Sequence, residues 1–167
     1  MNILLERKSI RKFTDKDISK EDITKMLQAA MQAPSANNQQ PWEFIVVDDR
    51  ELLDKLSLAS NGAWMLKDVK VAIVPLIIPT ELSPLLAVQD LAAATQNILL
   101  EATNLKIGSV WIGVYPLEKR IDYIEKVLNI KDGKHPFSMI ALGYESGKKE
   151  TQLRYSETRV HYNKMGE

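Results

Sequence analysis

Apolar positions along the chain switch repeatedly between two spacings. Between Ser19 and Pro34, residues Ile23, Met26, Leu27, Ala30 and Met31 recur at intervals of three and four, which predicts an amphipathic helix. Ser19 is placed to cap it, Glu21 and Asp22 fall in its first turn, and Pro34 ends it. Trp42 to Val47 (WEFIVV) reads as a strand, Asp48-Asp49 as a turn, and Arg50 to Ala59 as a helix with Leu52, Leu53 and Leu56 inward. Val69 to Ile78 (VKVAIVPLII) is a second strand. Ser83-Pro84 then opens a helix predicted to reach about Asn104, and apolar residues from Leu85 to Ala102 wrap nearly all its sides, the pattern of a buried helix. Gln89, Asp90, Gln96, Asn97 and Glu101 within it argue against a membrane span. A strand over Ser109 to Val114, a helix from Leu117 to Leu128 and a strand from Phe137 to Tyr144 complete the series. This alternation of helix and strand predicts an α/β or α+β sheet with helices on its faces.

After Gly147 the chain turns polar and irregular, with little to bury locally. It is either a frayed tail or an arm that packs on a second subunit, and the all-round apolar helix favours the arm. With 167 residues the chain suits one domain, 1–167, in which 148–167 is the arm. Lys plus Arg equals Asp plus Glu at 22 each, a balance that speaks against a general nucleic-acid or anionic-membrane binder. The absence of cysteine excludes disulfides, thiolate metal sites, iron–sulfur clusters and cysteine nucleophiles, and His135 and His161 have no metal-ligand spacing. The opening MNILLERK has too short an apolar run for a signal peptide, so the expected location is cytoplasmic.

Three stretches could carry chemistry. Asn37, Asn38, Gln39 and Gln40 offer four amides, each with donor and acceptor, where a helix gives way to a strand. They could face a flat heteroaromatic edge such as a flavin's pyrimidine ring, or form a solvated turn. Arg7-Lys8-Ser9-Ile10-Arg11-Lys12 sets four cations and a hydroxyl within six residues, the donor set of a phosphate dianion. If that segment is helical, Arg7 and Arg11 share a face; Arg154 and Arg159 form a second cationic site that could close on the same anion. Gly108 and Gly113 flank Trp111 in a short strand, either relieving packing or letting a flat ring approach Ile112 and Gly113. No Gly-x-Gly-x-x-Gly, Walker loop, nucleophile elbow or His-Glu-x-x-His is present, which fits a protein whose cofactor supplies the chemistry.

Together RKSIRKF (7–13), APSANNQQPWEFIVV (33–47), QDLAAATQNILLEA (89–102), GSVWIGVYP (108–116), ALGY (141–144) and RYSETRVHYNK (154–164) resemble the short members of the nitroreductase family of FMN-dependent oxidoreductases. The resemblance implies an α+β fold with a mostly antiparallel central sheet flanked by helices. It also implies an intertwined homodimer with exchanged C-terminal arms, and FMN held between the chains. By position, Arg7, Lys8 and Ser9 would meet the FMN phosphate and ribityl chain, and Arg11 the pyrimidine edge. Pro34, Ser35, Ala36 and Asn38 would reach the flavin held by the partner, while Asn37, Gln39 and Gln40 secure the turn. Ile112 and Gly113 would lie over the ring, the Gly113 backbone near N5, and Arg154 would meet the phosphate, with Arg159, Asn61 and Lys67 as looser matches. The family's GLGS stands here as Lys106-Ile107-Gly108-Ser109, and PLIIPTELSPLL (75–86) departs from the family pattern, so substrate-side contacts do not transfer.

The expected activity is transfer of hydride from NADH or NADPH through the flavin to a small electron-poor acceptor, such as a nitroaromatic, a quinone or a free flavin. A non-catalytic FMN carrier or sensor on the same fold is the alternative, and a flavin-free interaction module a third.

Overall fold

A computed structural model describes residues 2–147 and 150–165. A short helix α1 (Ile3–Glu6), which the apolar pattern did not predict, precedes α2 (Lys20–Met31), β1 (Trp42–Val47) and α3 (Arg50–Leu56). Then come β2 (Val71–Ile77), α4 (Ala87–Asn104), β3 (Gly108–Gly113) and α5 (Glu118–Leu128), and finally β4 (His135–Pro136) and β5 (Ser138–Gly143). Ser19 caps α2, its hydroxyl accepting from the Asp22 N–H. Asp49 does the same for α3 through the Leu52 N–H, and α3 ends at Leu56, short of the expected Ala59.

The strands form an antiparallel sheet in the order β1-β2-β5-β3, with the two-residue β4 beside β2. The fold is α+β. Helices α2 and α4 cover one face, where Val71, Ile73, Ile140 and Leu142 meet Met26, Leu91 and Ile98. Helices α3 and α5 cover the other, where Ala72, Val74, Met139 and Ala141 meet Leu53, Leu56 and Ile124. Both faces are therefore dry, and this is why β2 and β5 read as unbroken apolar runs instead of alternating ones. Pro75, in the middle of β2, is tolerated at the gap between the β4 and β5 pairings, where its carbonyl accepts from the Phe137 N–H at 2.8 Å.

Two expectations about α4 need correction. Leu85 and Leu86 lie outside it, in a 3₁₀ turn (Pro84–Leu86), and Ser83 makes no capping bond, because its hydroxyl is taken by the Asn37 side chain. The helix is also not buried all round: Asp90, Leu91, Ala94, Ile98 and Ala102 are covered, whereas Ala92, Ala93, Gln96 and Leu100 are half-exposed in a single chain. Its C-terminus is a Schellman motif, with Ile107 N–H to Ala102 O at 2.7 Å and Lys106 N–H to Thr103 O at 3.1 Å. Lys106 fills the left-handed position at φ 62°, a place suited to glycine.

Candidate functional site

The basic segment starts where α1 stops. Arg7 is the C-cap and turns to extended backbone (φ −56°, ψ 126°), so the condition for a helical face shared by Arg7 and Arg11 is not met. The segment instead crosses the start of β3 and the end of β5. Ile10 N–H donates to Ser109 O at 2.9 Å, Ser146 N–H to Lys12 O at 3.0 Å and Thr14 N–H to Tyr144 O at 2.8 Å. Ile10 and Phe13 pack on the two glycines that face each other across β3 and β5. A Cβ on Gly108 would lie 3.0 Å from Ile10, and one on Gly143 2.8 Å from the Phe13 ring. Gly108 therefore serves the chain's own packing, the first of the two readings open for the glycines of this strand.

Seated this way, Arg7, Lys8, Ser9 and Arg11 line one groove of about 700 Å³, together with Leu4 and Leu5 of α1, Gln96 of α4 and tail residues 150–155, including Arg154. Of the second cationic site, Arg154 thus meets the N-terminal run within one chain. Lys8 is also paired with Glu145 at 2.9 Å, and Glu150 adds a carboxylate to the lining. Guanidinium groups with a hydroxyl beside them are the donors that grip a phosphate ester, so these residues fit the phosphate end of a nucleotide cofactor. Arg159 sits outside this groove in an exposed 3₁₀ turn (Glu157–Arg159), and Lys67 lines a separate recess with Lys12, Arg50 and Lys70. Among the described residues, Lys25, Lys55 and Lys70 are held above their ordinary pKa, each by a hydrogen bond to a carboxylate, Glu21, Glu51 and Asp15 in turn; none of the three lines the groove. Lys148, Lys149, Gly166 and Glu167, part of the expected arm, lie outside the described residues.

The amide stretch forms a turn of unusual backbone. Asn37, Asn38 and Gln40 all take left-handed φ values, 51°, 52° and 46°, a region that costs an ordinary side chain about 1 kcal/mol each and asparagine less. Gln39 holds the turn in place. Its Nε2 donates to Ser83 O at 3.0 Å and to Asp90 Oδ2 at 2.6 Å, and its Oε1 accepts from Thr80 Oγ1 and from Ser83 N–H, each at 3.0 Å. The other oxygen of the buried Asp90 accepts the Ala36 N–H at 3.0 Å. Ser35 Oγ accepts from Gln40 N–H at 3.0 Å, and Asn38 Oδ1 from Gln40 Nε2 at 2.9 Å. Asn37, Gln39 and Gln40 do secure the turn. Pro34, Ser35, Ala36 and Asn38 are not among the residues lining the groove of the basic run in their own chain.

At the far end of β3 the Ile112 side chain is buried in the core with Val110 and Val114, so what it offers a ligand is backbone. Gly113 is exposed, and a Cβ there would meet nothing within 4 Å. Its carbonyl accepts a 2.7 Å hydrogen bond from Arg120 Nη1, which fixes the end of the strand. Sequence reasoning did not single out Gln39 and Asp90 as partners, nor Arg120. A signal for Asp90 existed: a lone carboxylate in a helix apolar on most sides needs a buried partner, and that residue served only as an argument against a membrane span.

Fold and groove define an α+β protein with a helix-covered antiparallel sheet and a cationic cleft where its N-terminal segment meets its tail. The nitroreductase family model matches residues 4–76 and 65–144, and the chain belongs to that family of oxidoreductases. It is 46% identical to the "Putative NADH dehydrogenase/NAD(P)H nitroreductase" of Archaeoglobus fulgidus, over 98% of this chain and 97% of that protein. Among solved structures, the "Putative NADH Oxidase" of Clostridium acetobutylicum is 44% identical with a TM-score of 0.94, over 98% of this chain and 99% of that one. An FMN-dependent nitroreductase of Clostridium difficile is 32% identical with a TM-score of 0.90, over 97% and 98%. Among the described residues no helix is long and apolar enough to cross a membrane.

Proposed function

We propose that the chain is an FMN-dependent oxidoreductase that takes reducing equivalents from NADH or NADPH and passes them to a small electron-poor acceptor. The observation that carries this reading is the meeting of Arg7, Lys8, Ser9, Arg11 and Arg154 on one groove, a phosphate-binding donor set drawn from both ends of the chain. Relatives that match nearly end to end carry names that speak of NADH, NAD(P)H and FMN. Bound there, FMN would supply the hydride chemistry between nicotinamide and acceptor in a ping-pong cycle, with Arg7, Lys8, Ser9, Arg11 and Arg154 as the residues to hold it.

The chain's own part is holding and tuning. Arg7, Lys8, Ser9 and Arg154 bind the phosphate and ribityl chain, and Arg11 sets a positive charge toward the pyrimidine edge, where it favours added negative charge on the ring. Gly113 gives its backbone N–H toward N5, a donor that does not titrate, and Arg120 keeps that strand end in place. Pro34, Ser35, Ala36 and Asn38 serve the site of a second copy, so that a homodimer holds two sites. Support for a second copy comes from the tail, where Leu153, Tyr155, Tyr162 and Met165 are all at least three-quarters exposed in the single chain. A monomeric tail gains nothing from so many wet apolar side chains; an arm laid on a partner buries them.

The absorbance spectrum of the purified protein after addition of FMN and desalting, followed by anaerobic NADH or NADPH, tests the reading. A retained flavin band that bleaches with either donor is expected. A colourless protein overturns the flavin assignment, and a yellow protein that neither donor bleaches overturns the enzymatic one in favour of a carrier.

A further inference from the structure

Lys8 stands between two recesses. On one side it lines the groove of about 700 Å³ with Arg7, Ser9, Arg11 and Arg154, and on the other a recess of about 560 Å³ with Ile10, Lys106, Glu6, Glu145 and Glu150. Arg7, Ser9 and Arg11 line the groove and Ile10 the recess, as alternate residues of an extended segment do, whereas Lys8 reaches both. Its ammonium lies 2.9 Å from Glu145 Oε2, in a pair whose side chains are each about a quarter exposed. The basic strip stays down without this pair. Residue 145 bridges Phe13 through its backbone, and on either side Thr14 N–H donates to Tyr144 O at 2.8 Å and Ser146 N–H to Lys12 O at 3.0 Å. A side-chain ion pair open to water adds little to such an anchor. What the carboxylate changes is the charge that the groove feels from Lys8.

We propose that Glu145 is a positioning residue for cofactor binding: it holds the Lys8 ammonium toward the recess, so that the flavin phosphate shares this cation and FMN is gripped less tightly than the donors of the groove allow. The inference rests on the reading that a flavin phosphate occupies the groove, and it adds that a carboxylate outside the groove sets the strength of the grip. Coulomb's law gives the direction. An anion in the groove is drawn by Lys8 and repelled by the carboxylate 2.9 Å beside it, so most of that cation's pull is cancelled; a neutral side chain at 145 restores it. The other cations of the groove, Arg7, Arg11 and Arg154, do not line the recess that holds Glu145. Lys8 is therefore the cation through which this carboxylate acts.

Titration of the FMN-free, full-length chain with FMN, followed by flavin fluorescence, tests this apart from turnover. Glu145→Gln, which keeps the shape and removes the charge, is expected to tighten FMN binding by about threefold to tenfold, the scale of releasing one partly exposed cation. Glu145→Asp, which keeps the charge and changes the shape, is expected to stay within about twofold of the unaltered protein. A purely structural role would order these two variants the other way. Lys8→Met is expected to weaken FMN binding by about twofold when Glu145 is present and by about tenfold in the Glu145→Gln background, where the ammonium serves the phosphate alone. FMN binding that Glu145→Gln leaves unchanged or weakens overturns the proposal. So does a Glu145→Asp protein that departs as far as Glu145→Gln, or an equal cost of Lys8→Met in both backgrounds. If melting without FMN shows that Glu145→Gln unfolds early, Lys8→Met decides alone, since a loss of about tenfold or more with Glu145 present means an undivided charge and overturns the proposal. Failure of the underlying reading looks different: the unaltered protein takes up no FMN, or binds riboflavin as tightly as FMN.

Discussion

Gln39 and Asp90, 51 residues apart in the chain, are joined by a 2.6 Å hydrogen bond from the Gln39 amide to a carboxylate that is only 6% exposed. The bond ties the turn before β1 to the first turn of α4. Gln39→Ala strips Asp90 of one partner and leaves the Thr80 hydroxyl and the Ser83 N–H without their acceptor at a half-buried site. The expected cost is about 2–3 kcal/mol, the scale for losing bonds to a buried charged acceptor, and urea unfolding followed by circular dichroism measures it. Gln39→Glu keeps the shape but sets two carboxylates against each other, so at neutral pH it is expected to destabilise at least as much.

Arg7 and Arg11 line the groove from backbone already fixed by Ile10, whose N–H bonds Ser109. The double replacement Arg7→Ala, Arg11→Ala removes cationic donors without touching that anchor. Purified protein is expected to lose its flavin while its melting curve without FMN stays within a few degrees of the parent's, because the change takes about a few kcal/mol from ligand binding and none from the core. Flavin content by absorbance after desalting reads the outcome.

Lys106 occupies the left-handed position of the Schellman motif that ends α4. Lys106→Gly removes the Cβ penalty there and gives up an exposed contact to Glu6 at 4.0 Å, a distance at which a surface pair contributes little. A net gain of about 0.5–1 kcal/mol is expected, after part of the relief is offset by the added freedom of glycine in the unfolded chain. Chemical denaturation with an unchanged slope checks it.

Gly143→Ala is expected to act in the opposite direction. The new methyl would sit 2.8 Å from the Phe13 ring, in a crossing closed by backbone bonds on both sides. Overpacking of this kind costs about 1–3 kcal/mol. Because Phe13 follows the basic run directly, weaker FMN retention is expected alongside the lower stability, and both are read on one preparation by thermal melting with and without FMN.

Truncation after Gly147 removes Arg154 from the groove together with the exposed Leu153, Tyr155, Tyr162 and Met165. Sedimentation velocity is expected to report a smaller species than the full chain, and desalting to strip its FMN. A truncated protein that sediments as a dimer and stays yellow would count against the exchanged arm.

Most of the sheet was legible in the chain because its cause is local. The apolar runs of β2 and β5 are buried on both faces and need no partner to be recognised, and Ser19 announces its helix by a side chain that caps within three residues. Failures arose where a distant residue decided the outcome. Ser83 looked like a cap until Asn37, 46 residues earlier, took its hydroxyl. Leu85 and Leu86 looked like interior positions of a long helix, but the bonds from Gln39 to Ser83 stop the chain short of α-helical geometry there. The basic run was visible as charge. Its shape was not, since the pairing of Ile10 with Ser109 pulls the segment out of the helix its spacing suggested. That Arg154 would lie with Arg7 depended on the tail folding back, which no local pattern encodes.

Ser9 forms a parallel bridge with Ser109, beside the Ile10 bond to the same residue. β3 is the outermost strand on its side of the sheet, and an outer strand left bare is a template for pairing with another chain. The segment that carries the basic run is also the strip that seals the start of this edge. The bond from Ile10 to Ser109 that holds this strip down thereby guards the protein against pairing with itself there.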